Sequence, residues 1–98
     1  METPEMIPVA AFCSSHRIER SFIDSLQSYG LIEVTVVEEH PFIAAVHLVK
    51  LEQLVRMHFD LDINLEGLDV IFNLLDRVQS MQSEIRSLKN QLRLYETD

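Results

Sequence analysis

Cysteine, glycine, proline and basic side chains are all scarce in this 98-residue chain. The single cysteine, Cys13, excludes an intramolecular disulfide and a multi-cysteine zinc site. It lies in the apolar run Val9-Ala10-Ala11-Phe12-Cys13, which predicts a buried thiol. Two Gly and three Pro exclude collagen-like and linker-rich architectures. No apolar run approaches the ~20 residues of a membrane span. The opening Met1-Glu2-Thr3-Pro4-Glu5 lacks the basic-then-apolar layout of a signal peptide, so a cytoplasmic setting is expected. Eight bases stand against sixteen acids, a net charge of −8. Residues 1–64 carry ten acids and four bases, residues 65–98 six and four, so neither half is a basic module. Nucleic acid backbones repel such a surface, whereas a basic protein partner suits it.

What remains is ordinary globular composition, 47% apolar and 24% charged. Residues 1–6 read as a loose tail, and Pro8 suits the first turn of a helix through Cys13. Ser14-Ser15-His16-Arg17 reads as a turn. A second helix fits Arg20 to Ser28, with Phe22, Ile23 and Leu26 on one face and Gly30 available to end it. From Leu31 to Glu38 the period changes to two, with Ile32, Val34 and Val36 alternating, as in a strand. Glu38-Glu39-His40-Pro41 reads as a polar turn and Phe42-Ile43-Ala44 as the returning strand of a two-stranded ribbon.

Ala45 to about Leu61 predicts a third helix, with Leu48, Leu51, Val55 and Phe59 in one stripe and Leu54 widening it. Asp62 or Asn64 can cap the next helix. That fourth helix, from about Leu65 to Leu94, carries the clearest pattern. Ile71, Val78, Ile85 and Leu92 occupy heptad positions a, and Leu74, Met81, Leu88 and Tyr95 positions d. Arg77, Glu84, Lys89 and Gln91 flank the seam and by themselves leave its orientation open. Thirty helical residues span about 45 Å, longer than a headpiece of residues 1–64 is wide. The distal part must project, and the economical cover for its seam is the same helix of a second subunit. The third helix can cover only Leu68 to Leu75. The organisation expected is a headpiece, residues 1–64, joined to a coiled-coil dimerisation helix, residues 65–98.

The order helix, turn, helix, ribbon, helix, long helix describes a winged helix-turn-helix in a mainly α chain. Phe12-Cys13, Ile18, Ile23, Leu26 and Gly30-Leu31-Ile32 fit it, as do Leu61-Asp62-Ile63-Asn64-Leu65-Glu66-Gly67-Leu68, Ile71, Leu74-Leu75-Asp76-Arg77 and the heptads. On these residues, from about Ile7 to Leu94, the chain resembles the MerR-like winged-helix proteins, and among them the small chaperone modulators of the CbpM type. That resemblance implies an adaptor that binds a J-domain co-chaperone of the CbpA type and blocks its stimulation of Hsp70. It implies no enzyme activity and no cofactor. J-domains engage Hsp70 through a basic helix face, which an acidic protein can occupy. The acids expected to make that contact are Glu33, Glu38, Glu39, Glu52 and Asp60.

A DNA-binding transcriptional regulator is the alternative. A recognition helix needs bases aimed at DNA. The helix from Arg20 to Ser28 offers Arg20 and Gln27 with Asp24 between them, behind a turn with His16 and Arg17. The wing tip, Glu38-Glu39-His40, is acidic, and Glu19 stands where a Ser or Thr cap is usual. MerR-type metal sensing does not carry over, because no cysteine lies near the long helix. His47 and His58 are eleven residues apart on one helix, about 16 Å, too far to share an ion. Asp60 and Asp62 read as helix-end residues rather than a catalytic pair. No phosphate loop and no nucleophile–base pair is present.

Overall fold

The computed structural model describes residues 5–96. Strand β1 (Met6–Pro8) leads without a loop into helix α1 (Val9–His16), followed by helix α2 (Arg20–Ser28). Strands β2 (Thr35–Val37) and β3 (His40–Ala44) form a hairpin. A 3₁₀ turn (Ala45–His47) then leads into α3 (Leu48–Phe59), and α4 (Leu65–Glu96) completes the chain.

The sheet has three strands in the order β1-β3-β2, all antiparallel. This corrects the two-stranded ribbon and part of the loose tail. Met6 and Ile7 pair with Ala44 and Ile43, and the Ala45 amide donates to the Glu5 carbonyl at 2.9 Å. Residues 1–4 of that tail lie outside the described residues. Strand β1 has too few residues to announce a period of two, and its partner is 36 residues away, so no local signal marks it. Pro8 ends the strand with φ −61° and ψ 134°, and the helix starts at Val9.

Four further boundaries differ from expectation. The Ser14-Ser15-His16 stretch is the last turn of α1, and only Arg17 turns, with φ 56°. Leu31 and Ile32 are buried in an irregular segment rather than a strand, because the core takes both neighbours at once. His40 and Pro41 belong to β3, so Glu38 and Glu39 alone make the hairpin turn. Phe59 leaves the core stripe of α3 and stands about half exposed, because the helix ends there.

The core takes its members from every helix. Val9 and Phe12 come from α1, and Phe22, Ile23 and Leu26 from α2. Ile43 comes from β3, Leu51 and Leu54 from α3, and Leu68 and Phe72 from α4. Each helix therefore buries one stripe against the others. Gly30, at φ 74°, lets α2 stop, and the Leu31 amide reaches back to the Leu26 carbonyl at 2.9 Å. Of the two candidate caps, Asn64 does the work: its Oδ1 accepts the Gly67 amide at 2.8 Å. Asp62 instead makes the left-handed turn between α3 and α4, at φ 56°.

Helix α4 is 32 residues long, about 48 Å. Its contribution to the core ends at Phe72. The radius of gyration is 18.0 Å, against about 13 Å for a compact chain of this length, so α4 projects. The headpiece covers less of it than expected. Leu68 and Phe72 are buried and Ile71 packs against them, but Leu74 and Leu75 are exposed.

Candidate functional site

Helices α1 and α2 and the turn Arg17–Glu19 make a helix-turn-helix, and the β2–β3 hairpin stands as a wing. The outward face of α2 presents Arg20, Asp24 and Gln27. Arg20 Nε donates to Asp24 Oδ1 at 3.2 Å, one helical turn along, with both groups more than half exposed. Such a pair is worth little to stability, but it cancels the one cation on this face. Glu19 makes no side-chain cap to α2; its carboxylate accepts from the Ser21 hydroxyl at 3.3 Å.

The wing tip is a two-residue turn closed by the Val37–His40 pair. Glu38 and Glu39 sit at φ 50° and 67°, both left-handed. Hairpin turns of this length favour that backbone, which is why Asn-Gly is the usual choice. A glutamate there costs about 1 kcal/mol of backbone strain. Both carboxylates are exposed.

The five acids expected to bind a partner fall in three places. Glu38 and Glu39 share the wing tip. Glu33 borders a shallow cleft of about 170 Å³ that also has Ile32, His47 and Lys50 on its walls. Glu52 and Asp60 share a third position, a cleft of about 300 Å³ between α1 and α3 lined by His16 and Arg56.

A cleft of about 460 Å³, larger than those two, lies between α2, the end of α3 and the start of α4. Sequence reasoning did not anticipate it. Its wall is an aromatic cluster in which the Phe22 ring stacks on His58 at 4.8 Å and meets Phe59 at 5.1 Å. The Ile63 carbonyl accepts from His58 Nδ1 at 2.8 Å, which fixes the ring. Arg17 and Glu19 stand at its polar edge. Phe22 is 36 residues from His58, so no spacing rule links them.

Along α4 the seam residues Leu74, Val78, Met81, Ile85, Leu88, Leu92 and Tyr95 are all about half exposed or more. Ile71 alone is partly covered, by the headpiece. At the base of the helix, Tyr29 donates its hydroxyl proton to Glu66 at 3.0 Å and ties α2 to α4. Glu66 is held below the usual carboxylate range, first by its own backbone amide in the first turn and then by Tyr29. That bond in turn pushes the Tyr29 phenol up. Cys13 is partly rather than fully buried against the core, and that burial raises its thiol above the ordinary value, with Arg20 opposing.

Among the described residues no group of three or more His, Cys, Asp or Glu is placed to hold a metal ion. No helix among them is long and apolar enough to cross a membrane. The elements together define a winged helix-turn-helix protein with a projecting C-terminal helix. A family profile described as MerR HTH family regulatory protein matches residues 7–90, and the chain belongs to that family. Neither the curated proteins nor the solved structures give a match.

Proposed function

We propose that this chain is a dimeric adaptor that binds a basic face of a J-domain co-chaperone and limits its stimulation of Hsp70. One observation carries the departure from DNA binding. The two surfaces a winged helix offers to a duplex are charged against phosphate here: Arg20 is neutralised by Asp24, and the wing ends in Glu38 and Glu39. Carboxylates held out at a strained turn suit a cationic protein surface instead. The net charge of −8 gives the whole molecule the same preference. The J-domain as the particular partner rests on the resemblance to the CbpM-type modulators. The exposed seam of α4 supports the dimer, since an apolar stripe of that length in water favours a partner helix.

A DNA-binding regulator is the second reading, and membership of a regulatory helix-turn-helix family favours it. Affinity purification from a lysate of the source organism, run with and without nuclease and read by mass spectrometry, separates the two. A J-domain protein as the dominant partner is the expected result. Recovery of nuclease-sensitive material alone would reject the adaptor in favour of the regulator.

A further inference from the structure

The cleft between α2, the end of α3 and the start of α4 serves neither function proposed above. Its volume, about 460 Å³, falls within the roughly 300–1,000 Å³ of small-molecule sites. One wall is aromatic. Phe22 and His58 stack at 4.8 Å, and Phe59 meets Phe22 at 5.1 Å and His58 edge-on at 4.8 Å. Phe22 is buried, whereas Phe59 stands 51% exposed, so the wall offers ring surface to an incoming group. Leu65 extends the apolar lining from the first turn of α4. The hydrogen bond from His58 Nδ1 to the Ile63 carbonyl holds the middle ring, so the wall is formed in advance.

The polar edge carries charge of both signs. The left-handed turn at Arg17, φ 56°, ends α1, and Arg17 and Glu19 both line the cleft. Two residues apart, their Cα atoms lie within about 7 Å of each other. Among the described residues neither joins an ion pair, and the Glu19 carboxylate accepts instead from the Ser21 hydroxyl at 3.3 Å. A guanidinium and a carboxylate that line one cleft without meeting can each meet an opposite charge on one small molecule. Arg17 would oppose a cation, and Glu19 an anion. A zwitterion suits both.

From this arrangement we infer that the cleft binds a free aromatic α-amino acid. Its ring lies against Phe59 and Leu65, its α-carboxylate pairs with Arg17, and its α-ammonium pairs with Glu19. An α-amino acid carries both charges on one carbon, which matches two side chains rooted so close together. The ring covers aromatic surface that the fold leaves half in water. A ligand there touches both the helix-turn-helix and the base of α4, and either functional reading accommodates it.

Titration of the full chain at low ionic strength, followed by ¹H–¹⁵N correlation spectra, tests the site. L-Phenylalanine should shift the amides of Phe22, Phe59 and Leu65 saturably, with a Kd of about 0.1–1 mM. Phenethylamine lacks the carboxylate and 3-phenylpropionate the ammonium; each should bind about tenfold more weakly. Glycine, without the ring, should not bind. Arg17→Gln should weaken phenylalanine about fivefold without weakening phenethylamine, and Glu19→Gln should do the same without weakening 3-phenylpropionate. Both side chains are exposed, so both variants keep the fold. N-acetyl-phenylalanine amide keeps the ring and loses both charges, as a phenylalanine inside a partner's chain does. If it binds as tightly as the free amino acid, the proposal falls and the cleft belongs to a protein partner. Dilution shifts confined to these amides in the unliganded protein would overturn it in favour of a second copy. The absence of any saturable shift at about 10 mM phenylalanine would overturn it outright.

Discussion

The headpiece and the projecting part of α4 are built from the same kinds of residue, and the structure treats them oppositely. Ile23, Leu26, Ile43, Leu51 and Leu54 are completely buried, whereas Ile85, Leu88 and Leu92 are more than half exposed. Both sets have regular helical or strand spacing. The difference is that the headpiece folds six short strands and helices around one core, while α4 leaves that core after Phe72 and runs on. Amphipathic periodicity says that a face will be covered. Chain length and turns decide whether the chain can cover it by itself.

That contrast can be broken first in the headpiece. Leu54→Ala removes a fully buried side chain from the centre of the core. It should cost about 2–5 kcal/mol of unfolding free energy, read from urea denaturation. Ile85→Asp, in contrast, should leave headpiece folding almost untouched and turn the proposed dimer into a monomer, because a charge would face an apolar partner. Sedimentation and circular dichroism on one sample check both halves of this expectation. A dimeric Ile85→Asp would place the interface elsewhere.

Smaller effects sharpen the comparison. Asn64→Ala deletes the cap where the two regions join and should cost about 1 kcal/mol. Replacing Glu38-Glu39 by Asn-Gly relaxes two left-handed glutamates and should raise thermal stability by about 1 kcal/mol. The same change should weaken binding to a basic partner; unchanged binding would remove the wing from the contact. The Tyr29–Glu66 bond gives the smallest effect, a pH dependence. Because folding lowers the Glu66 pKa, its contribution is present at neutral pH and fades as pH falls through the carboxylate range. The raised Tyr29 pKa acts the other way: its contribution holds below the ordinary phenol range and is lost at higher pH. Tyr29→Phe should abolish the alkaline limb of a plot of stability against pH and only reduce the acid limb, because the Glu66 backbone amide still holds that carboxyl down.

The five acids show how far a sequence reaches toward a site. Their exposure was legible, since carboxylates are rarely buried. Their grouping was not, because Glu52 and Asp60 share a cleft with His16 only when α1 packs on α3. The aromatic cluster was hidden for the same reason. His58 and Phe59 are adjacent in the chain, but Phe22 reaches them through the fold.

Local rules carried the helices, the wing, the Gly30 stop and the apolar stripe along α4. Each depends on residues within about seven positions of one another, where propensity and periodicity act. The third strand, the irregular burial of Leu31 and Ile32, the exposure of Phe59 and the point where α4 leaves the core were decided by tertiary structure. They depend on which distant surfaces meet, and contact between distant segments is set by how the whole chain closes on its core.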